Sequence, residues 1–308
     1  MNDSVKVSGS PSSVSLGICA YNEEKNIGFL LQSILNQKTV KINIKEIIVI
    51  SDGSGDRTDE ITRTFFKDGR IRLLRLNERL GKYAAVNEFL KHATCSLLVL
   101  SSADVVLDEN AIERLCLPFL TNNNIGITGA HPLPKNSADS FLGYVVNLQW
   151  YLHHKISLVN PKFGELIAFR NVVAKLPPTF VDEEELAYLI RNKGYKPQYI
   201  PESLVYNLGP NNLTDFFKQR SRIYAGHIML KNKYSYEAAT LSTLKVLRYL
   251  LKNLTFTHIK KMHWLLCAIF AEGAGRMLGI LGILFNKNYY KWEISESTKD
   301  LNHICNTH

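Results

Sequence analysis

Two apolar runs in this chain end on a carboxylate. Ile47-Ile48-Val49-Ile50-Ser51 stops at Asp52-Gly53-Ser54-Gly55-Asp56, and Ser96–Ser102 stops at Ala103-Asp104. A carboxylate held at the end of a buried strand suits a hard divalent cation, which takes oxygen ligands and shares them with phosphates. The bland alternative is that Asp104 and Asp56 cap the segments that follow them. An earlier run, Ser15–Ala20, gives way to Tyr21-Asn22-Glu23, so a second polar loop follows a strand about thirty residues before Asp52. In an open parallel sheet, ligands bind outside the carboxyl ends of neighbouring strands, and these loops would line one crevice. A second acidic group, Asp182-Glu183-Glu184-Glu185, opens a helical pattern, where carboxylates complement the helix dipole whether or not they do chemistry. Gln219-Arg220-Ser221-Arg222 supplies cations on another helical stretch.

The elements that must position these residues follow from periodicity. Strands are expected at Ser15–Ala20, Ile44–Ser51, Ile71–Leu76 and Ser96–Ser102, alternating with helices at Glu23–Leu35, Thr58–Phe66 and Lys82–His92. That alternation predicts an α/β, doubly wound, mostly parallel sheet. Beyond Pro118 the pattern loosens: a strand at Ile125–Ala130, a helix at Phe141–Val159, a strand at Glu165–Phe169 and a helix at Glu183–Asn192 are the readable elements.

Composition narrows the function classes. The chain has 308 residues, 45% of them hydrophobic, and a net charge of +9 concentrated in its second half. No basic-aromatic recognition motif accompanies that charge, so nucleic acid is not the expected partner; an anionic membrane surface or a diphosphate substrate is. The Ser-rich start lacks the apolar stretch of a secretory signal. Five cysteines without metal-ligand spacing (Cys19, Cys95, Cys116, Cys267, Cys305) read as thiols in a reducing compartment. Near the C-terminus, Leu244, Leu247, Leu251 and Leu254 share a stripe beside Lys245, Arg248 and Lys252, which describes a basic amphipathic helix. Trp264–Phe285 is long enough to span a bilayer but contains Glu272 and Arg276, each costing about 2.5–3.5 kcal/mol at the midplane. Ala271, Gly275 and Gly279 recur every fourth residue, as at a close helix contact, so packing against another helix is expected over a lone span.

Ala20-Tyr21-Asn22-Glu23 and Asp52-Gly53-Ser54 resemble the first two donor-site motifs of the family 2 inverting glycosyltransferases of GT-A fold, and the likeness runs from about Ser15 to Leu230. The resemblance implies that Ala20, Tyr21, Glu23, Asp52 and Ser54 hold the base and ribose of a nucleotide sugar, with Lys82 of Arg79-Leu80-Gly81-Lys82 near the diphosphate. It places Ser102-Ala103-Asp104 on an Asp-x-Asp motif whose last Asp touches Mg²⁺ or Mn²⁺; here Ser102 replaces the first Asp. Glu183 falls on the catalytic-base position with Asp182 just before it, and the choice between them stays open. Gln219 and Arg222 match a Gln-x-x-Arg-Trp motif of polysaccharide synthases, with Ile223 in place of the Trp. The implied organisation is a flexible arm at 1–14, a catalytic domain at 15–230 (nucleotide-sugar half 15–117, acceptor and base half 118–230) and a helical, membrane-associating appendage at 231–308. The implied reaction is sugar transfer to a hydroxyl or phosphate acceptor, lipid-linked or a glycan, at the cytosolic membrane face. Rival readings are an inactive nucleotide-sugar-binding protein of the same fold and a sugar nucleotidyltransferase; the latter would carry a Gly-rich phosphate loop where Ala20–Glu23 stands.

Overall fold

The computed structural model describes residues 12–254, 256–291 and 295–301; Cys305 and most of the N-terminal arm lie outside them. The elements in chain order are β1 (Ser12–Ala20), α1 (Ile27–Leu35), β2 (Ile42–Ser51), α2 (Thr58–Thr64), β3 (Ile71–Arg75), α3 (Lys82–His92), β4 (Leu97–Ser102), β5 (Val105–Leu107), α4 (Ala111–Thr121), β6 (Ile125–Pro134), α5 (Phe141–Ser157), β7 (Leu166–Arg170), α6 (Asp182–Arg191), β8 (Lys196–Asn207), α7 (Leu213–Tyr234), α8 (Thr243–Lys252), α9 (Phe256–Lys260) and α10 (Met262–Leu284). A single 3₁₀ turn at Glu296–Thr298 follows.

The strands form one sheet in the order β3-β2-β1-β4-β7-β6-β8-β5. The β3-β2-β1-β4 half is parallel, as the alternation of strand and helix predicts; β7 then runs antiparallel to both β4 and β6, so the sheet is mixed. The chain builds outward from β1 to β3 and returns to the other side of β1 as β4. That reversal opens a crevice at the carboxyl ends of β1, β2 and β4.

Alternating residues divide the core between the two faces of the sheet. Val14, Leu16 and Ile18 pack with Leu30, Leu31 and Ile34 of α1 and Leu115 of α4. Ile48, Ile50, Leu98 and Leu100 pack on the opposite face with Val86 and Phe89 of α3 and Ile190 of α6. Gly17 permits the second layer to close, because a Cβ there would lie 2.6 Å from the Phe89 ring.

Several elements depart from the periodicity. β1 begins at Ser12 rather than Ser15, pairing with Ile42. α1 begins at Ile27 rather than Glu23, because residues 22–24 bond instead to the loop after β2. The helix around Pro118 continues to Thr121. β8 carries two prolines, and Pro201 falls where the register with β6 slips between Gly129 and His131, a break that tolerates a missing donor.

α10 lies along α7. Gly275 and Gly279 face it, with space for a Cβ taken by Arg220 and by the Ser221 carbonyl. Glu272 and Arg276 also point inward: Glu272 meets Arg220 at 2.8 Å and Arg276 at 2.9 Å. Arg276 donates further to the carbonyls of Leu241 (2.8 Å) and Thr240 (3.0 Å). The charges that interrupt the apolar stretch are therefore satisfied within the protein. The outer face keeps Leu266, Phe270, Met277, Leu281 and Leu284 exposed. α10 is long and apolar enough to cross a membrane by length and composition, with a third of its apolar window buried against protein.

Candidate functional site

The loops after β1 and β2 are tied together before they present anything to a ligand. Asn22 N donates to Ser54 Oγ (3.1 Å), Glu23 N to Thr58 Oγ1 (2.7 Å) and Glu24 N to Asp56 Oδ2 (3.0 Å), while Asn22 Oδ1 accepts from Gly55 N (2.8 Å). Ser54 is buried and also bonds Ser51 (3.0 Å). It pins the two loops and does not line the crevice, so the ligand contact that the resemblance implies for Ser54 is not what its side chain makes. Asp56 accepts from Thr58 N (3.0 Å), a local turn bond just ahead of α2, whose N-cap is Arg57.

Asp52 is buried at the crevice wall, and its carboxylate accepts from two backbone amides, Leu80 N (2.7 Å) and Gly81 N (2.9 Å). Burial raises its pKa, and those two amides act against the rise. The same bonds hold the Arg79–Lys82 loop against the crevice, where the Arg79 guanidinium stacks 3.9 Å from the Tyr21 ring centre. Tyr21, Asp52 and Arg79 thus form a slot with a flat aromatic-cationic wall and a carboxylate acceptor. Ala20, Glu23, Ser102, Ala103 and Asp104 line the same crevice, with Gln219 and Arg222 of α7 facing them.

Glu23 is held by Asn26 Nδ2 (2.9 Å) and by Lys299 (2.6 Å). Burial and the Asp104 charge push its carboxyl up to about 7, against the pull of Lys299. Lys299 also donates to the carbonyls of Tyr21 and Asn22, both at 2.7 Å, and Leu301 N donates to Asn26 (3.1 Å). Nothing in the sequence signals this contact, since Lys299 lies in a polar stretch without periodicity, 276 positions from Glu23. Lys287 and Lys291 line the crevice beside it, and they too escape a reading by pattern.

Asp104 accepts no hydrogen bond among the described residues and sits where its charge bears on both Glu23 and Glu165. Glu165 was not singled out by sequence. It stands just before β7 with a left-handed backbone (φ +43°), its carbonyl accepts from Ser102 N (2.8 Å), and Asn207 Nδ2 donates to its carboxylate (3.1 Å). Burial, then Asp104, raises the Glu165 carboxyl to about 7. Among the described residues no three His, Cys, Asp or Glu side chains form a ready cage for a metal ion. A bare carboxylate near the buried Glu23 and the half-buried Glu165 is still a fitting place for a divalent cation that completes its shell with phosphate oxygens.

A larger cavity, about 480 Å³, adjoins the crevice and shares Lys82, Ser102, Asp104, Gln219 and Arg222 with it. Apolar side chains (Val145, Leu148 and Leu152 of α5; Leu247 and Leu250 of α8) line it together with Glu183, Lys162, Arg220 and His227. Glu183, in the first turn of α6, pairs with Lys82 from the first turn of α3. Burial alone would raise the Glu183 carboxyl; the charge and hydrogen bond of Lys82 outweigh it and hold the group below the usual carboxylate range. Lys82, expected near a diphosphate, thus pairs with Glu183 while still lining both cavities. Asp182 lines neither: it is fully buried, neither carboxylate oxygen has a side-chain partner, and burial pushes it up to about 7. Arg222 donates to the Phe180 carbonyl (2.9 Å), and burial lowers its pKa to about 10.

Residues 15–153 match the model of glycosyl transferase family 2. Among curated proteins, the chain is 27% identical over 271 residues to a poly-β-1,6-N-acetyl-D-glucosamine synthase of Staphylococcus epidermidis, covering 83% of this chain and 63% of that one. A synthase of the same name from Staphylococcus aureus strain COL is 27% identical over 261 residues, 80% of this chain and 61% of the relative. The chain therefore spans somewhat under two-thirds of the length of these relatives. Among solved structures, it is similar to a mannosyltransferase from Pyrobaculum calidifontis in complex with GDP-Man and Mn²⁺ (TM-score 0.67, 19% identity, 91% of this chain and 89% of that one). It also resembles the glucosyl-3-phosphoglycerate synthase of Mycobacterium tuberculosis with Mn²⁺, UDP and phosphoglyceric acid (TM-score 0.52, 18% identity, 71% and 78% covered). The strand-end crevice, the reversal of strand order beside β1 and these matches agree: the fold is that of the GT-A structures, and its first half, residues 15–153, matches glycosyl transferase family 2.

Proposed function

We propose that this protein transfers a sugar from a nucleotide-diphosphate sugar to a hydroxyl or phosphate acceptor, lipid-linked or a glycan, with inversion at the anomeric carbon. The observation that carries this reading is the junction of two cavities at Lys82, Asp104 and Arg222, with Asp52 on one side and Glu183 on the other. The base of the donor enters the slot of Tyr21, Arg79 and Asp52. Its diphosphate lies toward Asp104, with Arg222 and Lys291 around it. The acceptor arrives through the larger cavity. Its oxygen attacks C1 of the sugar as its proton passes to Glu183, and the C1–O bond breaks with its electron pair leaving on the diphosphate. Glu183 suits the base role better than Asp182 because it faces the cavity and Lys82 keeps it ionised. Asp104 would hold Mg²⁺ or Mn²⁺, which supplies neutralisation of the departing diphosphate charge. Lys82 stands between the diphosphate and the base, so a bound donor competes with Glu183 for its ammonium.

The exposed leucines of α8 and the outer face of α10, beside Lys245, Arg248 and Lys252, support seating on an anionic membrane surface, the cytosolic leaflet in this reading. A second reading, an inactive nucleotide-sugar binder, draws on Ser102 in place of a carboxylate. Glu183→Gln separates the two. Measured over a panel of UDP-, GDP- and dTDP-sugars, the wild type should transfer sugar and the variant should lose about 10²–10⁴-fold in rate with nucleotide binding retained. Wild-type binding without transfer to any lipid-phosphate or glycan acceptor would favour the inactive reading.

A further inference from the structure

We infer that Glu165 supplies to the divalent cation the second carboxylate that Ser102 lacks. The inference rests on the reading above, in which Asp104 holds a divalent cation with the donor diphosphate. β7 runs antiparallel to β4, and Ser101 opposite Leu166 brings Ser102 against Glu165; the Ser102 N to Glu165 O bond of 2.8 Å closes that end of the ladder. Glu165 itself precedes β7 in a left-handed backbone, so this bond, and not strand alternation, sets it beside Ser102. Ser102, Asp104 and Glu165 line one cavity. A carboxylate missing from one strand is thus present beside its neighbour.

The two carboxylates flanking Asp104 are held differently. Glu23 is already neutralised by Lys299 at 2.6 Å and by Asn26. Glu165 forms no ion pair among the described residues and accepts one side-chain hydrogen bond, from Asn207. Asp104 itself has no hydrogen-bond partner there. A divalent cation bound through one or two carboxylates and substrate phosphates needs this arrangement: two carboxylates outside any ion pair, beside rigid strand ends and lining one cavity, with Asp104 also lining the crevice proposed for the diphosphate.

The test is Mn²⁺ binding followed by loss of the free-ion electron paramagnetic resonance signal, alone and with GDP or UDP, alongside thermal melting without metal. Asp104→Asn and Glu165→Gln should each weaken Mn²⁺ binding at least tenfold. Glu23→Gln, which removes an already paired charge, should change it less than threefold. Ser102→Asp placed in the Glu165→Gln protein should restore affinity to within about threefold of wild type. Wild-type affinity in Glu165→Gln, or an equal loss in Glu23→Gln, overturns the assignment while leaving Asp104 as ligand. Failure of Ser102→Asp to rescue a folded Glu165→Gln protein also overturns it. If Glu165→Gln does not melt cooperatively, Glu165→Asp replaces it, expected to keep Mn²⁺ with reduced affinity; unchanged affinity there counts against the inference. An Asp104→Asn protein that binds Mn²⁺ like wild type sinks the underlying cation reading as well.

Discussion

Asp52 is a buried carboxylate and Glu183 a half-buried one on adjoining cavities, and the protein holds them by different means. Asp52 is fixed by two backbone amides of the Leu80–Gly81 loop, and its own loop is stitched to the loop after β1 by hydrogen bonds from Asn22 N and Glu23 N. Glu183 is fixed by one ammonium 101 positions away, brought by another helix. Backbone anchoring makes the nucleotide end a rigid socket whose parts come from short stretches of chain. Ion pairing makes the transfer end adjustable, because a competing anion can draw Lys82 away. In the proposed reaction, where donor binding must precede proton removal, that difference has a use: Glu183, as the proposed base, would be restrained until a diphosphate arrives.

The sharpest way to break this contrast is Lys82→Met. Burial then acts on Glu183 without the ammonium, and its pKa moves up from below the usual carboxylate range. In the wild type the acid limb of the pH–rate profile lies below that range; in the variant it shifts to higher pH, and the rate at neutral pH falls about 10²-fold. An acid limb that stays in place would mean that Lys82 does not govern the base.

At the nucleotide end, Lys299 is the exception to local construction. Its three bonds to the Tyr21–Glu23 loop come from the far end of the described chain. Lys299→Ala should raise the donor KM about tenfold with kcat changed less than threefold, because it loosens the socket and leaves the transfer end intact. An equal fall in kcat would place Lys299 in the transfer step.

The contrast also explains what was legible. The socket could be read from sequence because its strands are near-continuous apolar runs and each binding loop is short: Asp52 and Asp104 fall at strand ends as the pattern says. α3 was readable to the residue, from Lys82 to His92. Glu165 and Lys299 were not, since their importance comes from pairing across strands and from a return of the chain that no local period encodes. β8 was missed because Pro197 and Pro201 break its alternation, and α4 because Pro118 interrupts a helix whose amphipathic face is otherwise clear.

Asp182 tests the transfer end from its other side. A carboxylate with a raised folded pKa binds protons more tightly when folded than unfolded, so its contribution to stability falls as pH climbs from about 4 through about 7. Asp182→Asn removes that titration. Relative to wild type, its melting temperature should gain a few degrees at pH 8 and little at pH 5, with transfer reduced far less than by Glu183→Gln. A loss of transfer matching Glu183→Gln would instead make Asp182 the base.

The smallest effect is expected far from either carboxylate. Leu244 and Leu251 are 70% and 61% exposed on α8, so replacing both with Ser removes little buried area and should alter stability by under about 0.5 kcal/mol per site. Transfer to a water-soluble acceptor should be unchanged. Flotation with vesicles containing anionic lipid should nevertheless fall severalfold, because the substitution removes apolar surface available to the interface while Lys245, Arg248 and Lys252 keep their charge. Unaltered flotation would assign membrane attachment to α10 alone or to no part of α8. The larger cavity, whose wall includes Leu247 and Leu250 of the same helix, would then open toward solvent instead of lipid, and a glycan would fit its mouth better than a lipid-linked acceptor.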